Sequence, residues 1–121
     1  MPNPKFQATE TTIAELQGLV DRFAQERDWD KFHLPKNLAM SVAIEAAEIM
    51  ELFQWSPSET LERPIGDDSA LAEEMADVLS YLLRLASVTG IDLASAMQAK
   101  MLKNAIKYPV RNDYEFPSAA Q

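Results

Sequence analysis

Two pairs of acidic residues have the types and the spacing of a metal-binding site. Glu45 and Glu48 form an E-x-x-E pair, and Glu74 and Asp77 form an E-x-x-D pair about 25 residues further on. Side chains three positions apart are neighbours on one face of a helix. Ligation by carboxylate oxygens alone selects hard cations, so we expect Mg²⁺, with Mn²⁺ as the second candidate. Such a site supports metal-assisted hydrolysis of a phosphate compound.

Other metal and nucleophile chemistries are excluded by composition. The chain has no cysteine, so it has no thiolate zinc site, no disulfide and no cysteine nucleophile. Di-iron helical bundles use Glu-x-x-His on two helices, whereas the one histidine here, His33, lies outside both acidic pairs. The site is therefore expected to bind its metal through oxygen only.

The elements that must position these residues are predicted to be four helices. Apolar residues recur at intervals of three and four, which is the helical period. The predicted helices run from about Thr12 to Arg27, from just after Pro35 to about Phe53, from near Asp68 to Val88, and from Asp92 to just before Pro109. Thr12 and Asp92 are the expected N-caps, and Gly90 is the expected C-terminal cap of the third helix. We predict an all-α four-helix bundle.

The chain is expected to be a single domain over residues 1–121, with a core from about 12 to 111 and a polar C-terminal tail. Four apolar residues of the last helix are expected to point inward, and they are Leu93, Met97, Met101 and Tyr108. The third helix is expected to present Leu71, Met75, Val78, Leu82 and Leu85 to the core.

Helical direction singles out the acidic residues that do not point to water. At about 100° per residue, Glu45 lies roughly 20° from Leu38, inside the apolar stripe of the second helix. Glu74 borders the apolar stripe of the third helix, whereas Glu73 projects about 100° away from Glu74. An ionised carboxylate near an apolar interior is costly unless it is paired or metal-bound. Ordinary solvated glutamates remain the alternative interpretation for any one of these residues.

The overall charge and the apolar runs restrict the partners. A formal charge of −8 argues against binding nucleic acid, which needs clustered Lys and Arg. No apolar run approaches the roughly 20 residues of a spanning helix, and the N-terminus is polar. We therefore expect a cytoplasmic protein that contacts neither nucleic acid nor membrane.

The acidic pairs and their flanks resemble the signature of the MazG-like all-alpha nucleoside triphosphate pyrophosphohydrolases, in particular the dCTP pyrophosphatase branch. The segments that carry this resemblance are ERDWDxFHxPxNL at 26–38, ELFQW at 51–55, EExxDVLxYL at 73–82 and KMxxNxxKYPV at 100–110. The resemblance covers residues 12–111, which is nearly the whole expected domain.

The resemblance implies hydrolysis of a nucleoside triphosphate between the α and β phosphates, giving a monophosphate and pyrophosphate. It implies Glu45, Glu48, Glu74 and Asp77 as metal ligands and catalytic residues. It implies a base pocket from Trp29, His33, Trp55 and Tyr81, and phosphate or sugar contacts from Lys100, Asn104, Lys107 and Tyr108. It also implies a homodimer or homotetramer and a role in cleaning the nucleotide pool. Some relatives have a histidine where this chain has Val20, so base or sugar selectivity is expected to differ.

The remaining residues leave alternatives open. Trp29 and Trp55 each follow the end of a predicted helix, where a ring can stack on a base or plug the bundle. His33 can donate to a base edge or accept from it, or pack as a loop histidine. Arg84 is expected to face solvent. Two alternative functions remain. One is the same chemistry on dUTP or another non-standard nucleotide, and the other is a non-catalytic acidic interaction module.

Overall fold

Four helices and no strand make up the described part of the chain, residues 10–55 and 69–111 of a computed structural model. The helices are α1 (Ile13–Glu26), α2 (Pro35–Phe53), α3 (Ser69–Thr89) and α4 (Leu93–Lys107). The all-α, four-helix prediction is confirmed, and the bounds differ from the predicted ones by at most one residue. The expected polar loop before the third helix and the polar tail lie outside the described residues.

Local capping explains where the helices begin. The Thr12 hydroxyl accepts a hydrogen bond from the Glu15 N–H at 3.1 Å and donates to the Glu15 carboxylate at 3.3 Å. Pro35 occupies the first turn of α2, where its missing N–H removes no helical bond. The Asp92 carboxylate accepts a hydrogen bond from the Ser95 N–H at 3.2 Å, and this bond is the largest cause that holds the pKa of Asp92 below its usual range. Both predicted N-caps are confirmed.

The end of α3 depends on one glycine. Gly90 has a φ of +71°, and the Ile91 N–H donates to the Ala86 carbonyl at 3.0 Å. This is the Schellman arrangement, in which a left-handed residue lets the chain turn back over the last helical turn. A side chain is strained at this φ, which is why glycine suits the position.

The packed part of the molecule is formed by α1, α2 and α3. Helix α3 is central, since it packs most extensively against α2 and also against α1. The fully buried apolar residues among those described are Ala24, Leu38, Leu83 and Ala86. Met75 and Leu82 are 56% and 36% exposed, so their predicted core positions are wrong for the single chain. Apolar residues lie on more than one face of α3, and periodicity does not indicate which face is covered.

Helix α4 turns away from the other helices. It meets α3 at 102° and contains no buried residue. Met97 and Met101 are 66% and 50% exposed, so the predicted inward orientation of this helix is wrong within one chain. No single helix in the described ranges is long and apolar enough to cross a membrane; α3 and α4 meet that criterion only as a bent pair.

Candidate functional site

Three carboxylates from two helices converge where α2 packs against α3. One oxygen each of Glu45, Glu48 and Glu74 lies within 4.8 Å of the other two, and all three side chains are half-buried. The i, i+3 spacing on α2 places Glu45 and Glu48 side by side, and the contact between α2 and α3 brings Glu74 to them. Glu73 is exposed, as its helical direction predicted.

The cluster is electrostatically unfavourable without a cation. Burial, a hydrogen bond with Glu48 and the charges of Glu48, Glu45 and Asp77 raise the pKa of Glu74 to about 7. Burial, followed by the charges of Glu48 and Asp77, raises the pKa of Glu45. Among the described residues, the buried Oε2 of Glu74 has no hydrogen-bond partner. An all-carboxylate donor set with an unpartnered buried oxygen fits a hard divalent cation.

Asp77 lies beside this group rather than within it. It is exposed and does not belong to the set of oxygens within 4.8 Å, but its charge raises the pKa of both Glu45 and Glu74. Asp77 also lines a cavity next to the cluster. It therefore borders both features, which is a position suited to a group that contacts the cation and the bound molecule.

The cavity lies between α1 and α3 and has a volume of about 380 Å³. Its walls are formed by Leu19, Val20, Phe23, Ala24, Trp29, His33, Asp77, Ser80, Tyr81 and Arg84. This size falls in the range of small-molecule sites, which are mainly apolar with a few polar groups. Three of the four residues expected in the base pocket, Trp29, His33 and Tyr81, lie on its wall, and so does Val20.

Trp29 is directed to the cavity by the turn that ends α1. Asp28 adopts a φ of +56°, and the Trp29 N–H donates to the Ala24 carbonyl at 2.9 Å. This second Schellman turn folds Trp29 back against α1, where its ring meets Phe23 edge-on with centroids 5.5 Å apart. His33 follows at 5.9 Å from Trp29, and Tyr81 lies 6.5 Å from His33. The result is a continuous aromatic wall that can stack a planar ligand.

Arg84 lines the cavity beside this aromatic wall, and its predicted exposure to solvent is wrong. Arg84 is only 6% exposed, and its guanidinium donates to three partners. Nη1 bonds Asp21 at 2.7 Å, Nη2 bonds Asp30 at 2.8 Å, and Nε bonds His33 Nδ1 at 3.0 Å. The Ser87 hydroxyl donates to the second oxygen of Asp21 at 2.8 Å. Two carboxylates thus compensate the buried cation.

The sequence did contain an indication that Arg84 lies on the same side of α3 as the site. Arg84 follows Asp77 by seven residues, which places the two side chains about 20° apart on the helix, on the flank that carries the site. Its carboxylate partners come from α1 and from the connection between α1 and α2, and that proximity is a tertiary property.

Trp55 does not line the cavity within one chain. It follows the C-terminus of α2, whereas His33 precedes the N-terminus of the same helix. A helix from Pro35 to Phe53 is about 27 Å long. Trp55 is 89% exposed and therefore does not plug the bundle within one chain.

The expected phosphate-binding residues of α4 do not meet the cavity either. Its lining includes none of Lys100, Asn104, Lys107 and Tyr108. The Lys107 ammonium lies 5.4 Å from the ring centroid of the adjacent Tyr108, and Tyr108 is 69% exposed. The structure thus brings together the acidic residues, Trp29, His33 and Tyr81, whereas Trp55 and the α4 residues are not on the cavity wall within one chain.

Comparison with known proteins agrees with this architecture. The sequence model of the MazG-like family matches residues 40–120. Over 106 residues the chain is 40% identical to dCTP pyrophosphatase 1 of Bos taurus, covering 85% of this chain and 63% of the relative. Over 105 residues it is 42% identical to dCTP pyrophosphatase 1 of Mus musculus, covering 84% of this chain and 61% of the relative. The chain thus spans a little over three-fifths of the length of these curated relatives.

A solved structure is also similar. The crystal structure of a pyrophosphatase from Archaeoglobus fulgidus superposes with a TM-score of 0.71 at 45% sequence identity, covering 80% of this chain and 92% of that one. The curated relatives and this solved structure are all named as pyrophosphatases.

Proposed function

The chain belongs to the MazG-like family, and from that premise we propose that it is a magnesium-dependent nucleotide pyrophosphohydrolase. The proposed reaction cleaves a nucleoside triphosphate to its monophosphate and pyrophosphate. The proposed substrate is dCTP or a modified dCTP, and the proposed role is removal of such nucleotides from the pool. The names of the curated relatives support this choice.

The observation that carries the proposal is the acidic cluster beside an aromatic cavity. Glu45, Glu48 and Glu74 present converging oxygens, and the buried Oε2 of Glu74 has no partner in the described part of the chain. We assign these three residues and Asp77 as the ligands of Mg²⁺, or of Mn²⁺ in its place. A divalent cation bound there would neutralise phosphate charge and would lower the pKa of a water molecule bound to it.

The chain's own groups have separate roles in this proposal. Glu45 or Glu48 orients the attacking water or accepts its proton, because both lie at the cluster and carry carboxylates suited to general base catalysis. No protein nucleophile is required. Asp77 links the cluster to the cavity, so that the phosphates of a nucleotide held in the cavity reach the carboxylates.

The base is proposed to lie against the aromatic wall. Trp29 and Tyr81 flank His33 on the cavity surface, and base–aromatic stacking is worth about 1–3 kcal/mol per base. Val20 lies on the same wall, where its apolar side chain offers the base or sugar no hydrogen bond. This apolar position supports a base or sugar preference of the chain's own.

The complete site is proposed to need more than one copy of the chain, as a homodimer or homotetramer. Trp55 lies at the far end of α2, and the α4 residues Lys100, Asn104, Lys107 and Tyr108 are absent from the cavity wall. In a homo-oligomer these residues contact the substrate held by a neighbouring subunit. The exposed apolar side chains of α4, among them Ile106 at 82%, support such an assembly.

The direct test measures products from a panel of natural and modified triphosphates with and without Mg²⁺. We expect monophosphate and pyrophosphate in equal amounts, with dCTP or its modified forms preferred and dUTP as the nearest competitor. Release of inorganic phosphate instead of pyrophosphate would contradict the assignment. If the chain is instead an acidic interaction module, Mg²⁺ plus nucleotide will not raise its melting temperature.

A variant tests the role of Asp77. Asp77→Ala is expected to abolish magnesium-dependent release of pyrophosphate, while the helical circular dichroism stays intact because Asp77 is exposed and fills no core position. Retained turnover in this variant would remove Asp77 from the ligand set.

A further inference from the structure

The hydrogen bond from Arg84 Nε to His33 Nδ1, at 3.0 Å, determines which ring nitrogen carries a proton. A guanidinium has only donor groups and remains charged, so Nδ1 accepts through its lone pair. A neutral imidazole has a single N–H, which is then on Nε2. Asp21 and Asp30 hold the guanidinium in this orientation from its other two nitrogens.

The surroundings keep the ring neutral. Burial is the largest cause that lowers the pKa of His33, the charge of Arg84 is the second, and the charge of Asp30 opposes them to a smaller extent. A proton on Nδ1 would also set two donors against each other. The imidazole therefore offers a lone pair to Arg84 and an N–H elsewhere.

The cavity is the place where this N–H can act. His33 lines the cavity together with Trp29 and Tyr81, whose ring centroids lie 5.9 Å and 6.5 Å from the imidazole. Because Nδ1 is already bonded to Arg84, Nε2–H is the polar group that His33 offers to an occupant. A site built to donate rejects a ligand that lacks the matching acceptor, since the donor is then left unpaired.

We propose that Arg84 is a positioning residue that holds His33 as an obligate hydrogen-bond donor, so that the cavity selects a nucleobase presenting an acceptor. That acceptor is a carbonyl oxygen or an unprotonated ring nitrogen, both of which the cytosine ring provides. A base edge that presents only N–H groups to Nε2 is excluded. The inference rests on the proposed function, because it takes the cavity occupant to be a nucleobase.

The protonation of the ring can be measured without substrate. The chain has one histidine, so a ¹⁵N-labelled sample gives one set of imidazole signals. Long-range ¹H–¹⁵N spectra at pH 7 are expected to show a protonated Nε2 and an unprotonated Nδ1. A protonated Nδ1, in a neutral or a charged ring, would overturn the proposal.

A pair of arginine variants tests whether Arg84 is responsible. Arg84→Lys keeps the charge but loses the planar fork, and we expect the single tautomer to be replaced by a mixture. The matched control is Arg22→Lys, an exposed arginine on α1, which is expected to keep the parent spectrum. An unchanged spectrum in folded Arg84→Lys would overturn the positioning role.

Variants of His33 test the donor and leave Arg84 and its two carboxylates intact. The probe is an α,β-methylene analogue of dCTP, which resists hydrolysis, with Mg²⁺ in calorimetric titrations. His33→Gln can accept from Arg84 and donate to the base, so its Kd is expected within about threefold of the parent value. His33→Phe offers no donor, and its Kd is expected to rise about tenfold. Equal Kd values for the two variants would overturn the donor assignment.

These readouts separate this inference from the proposed reaction. A parent chain that binds the analogue but hydrolyses no triphosphate contradicts the proposed function, while the tautomer and the Kd ratio still decide the inference. A parent chain that does not bind the analogue overturns the nucleobase assignment.

Discussion

Glu74 lies at the centre of the acidic cluster, where burial and three neighbouring carboxylates raise its pKa to about 7. A group with this pKa is partly protonated at neutral pH unless a cation compensates its charge. The same feature that makes the site suitable for metal therefore destabilises the metal-free fold. Removing the charge of Glu74 is therefore expected to raise the stability of the metal-free chain and to lower its activity.

Glu74→Gln tests this opposition. The amide removes a charge from the cluster, so the metal-free melting temperature at pH 8 is expected to rise. Pyrophosphate release is expected to fall by at least about 100-fold, since loss of even a hydrogen-bonded neighbour of a ligand costs about 10–100-fold. The matched control is Glu73→Gln, which changes the exposed adjacent residue and should alter neither quantity. Equal effects of the two variants would contradict the assigned direction of Glu74.

The pH dependence of stability follows from the same group. The pKa of Glu74 is raised from 4.5 to about 7 in the folded chain. The contribution of Glu74 to the free energy of unfolding is therefore fully present below pH 4.5 and is lost as pH rises through about 7. The pKa of His33 is lowered, so the contribution of His33 to the free energy of unfolding is lost as pH falls below its ordinary pKa of 6.5, which is the opposite direction. The clear window therefore lies between pH 6.5 and about 8.

Within this window the free energy of unfolding of the metal-free chain is expected to decrease as pH rises. Urea unfolding at several pH values measures it. Saturating Mg²⁺ is expected to remove the slope because it favours the ionised carboxylate, and Glu74→Gln is expected to reduce the slope without metal. A metal-free slope of the opposite sign would contradict the pKa shift of Glu74.

The helices show why the element bounds were predictable. Thr12, Asp92, Pro35 and Gly90 act through bonds within a few residues, so their effects are visible in the sequence. The direction of Glu45 and Glu74 was predictable for the same reason, because helical geometry converts spacing into angle. The covered face of a helix is different, since a neighbouring helix decides it.

Two glycine substitutions with opposite expected signs test the local conformations. Gly90→Ala forces a side chain into the left-handed region, and it is expected to lower the free energy of unfolding by about 1 kcal/mol, although its Cβ meets no atom within 4 Å. Gly18→Ala lies inside α1, where the new Cβ meets only the Arg22 side chain at 3.6 Å. It is expected to raise that free energy by about 0.5–1 kcal/mol. Urea unfolding measures both, and destabilisation by both variants would contradict the assigned conformations.

Across the described ranges, many large apolar side chains are exposed. Leu102 and Ile106 on α4 are 71% and 82% exposed, and they lie four residues apart on one face. Met75 on α3 is 56% exposed as well. Large exposed apolar areas mark interaction surfaces, which supports the proposed homo-oligomer.

Sedimentation tests the assembly. The parent chain is expected to sediment as a dimer or tetramer at micromolar concentration, and the double variant Leu102→Glu/Ile106→Glu is expected to shift it toward monomer. Ala96→Glu introduces the same charge at an exposed position of the same helix, about 120° away from Leu102, and serves as the control. A monomeric parent chain would contradict the proposal, and an unchanged double variant would exclude this face of α4.

The sequence by itself determined the helices and the direction of the acidic residues, because hydrogen bonds and side-chain angles within a helix depend on near neighbours. Tertiary structure alone decided that α2 and α3 bring Glu45, Glu48 and Glu74 together and that α1 and α3 enclose a cavity. It also decided that Arg84 is buried, since its partners Asp21 and Asp30 lie more than fifty residues earlier in the chain. Contacts over such separations depend on how the helices pack, and the periodicity of apolar residues within one helix does not specify that packing.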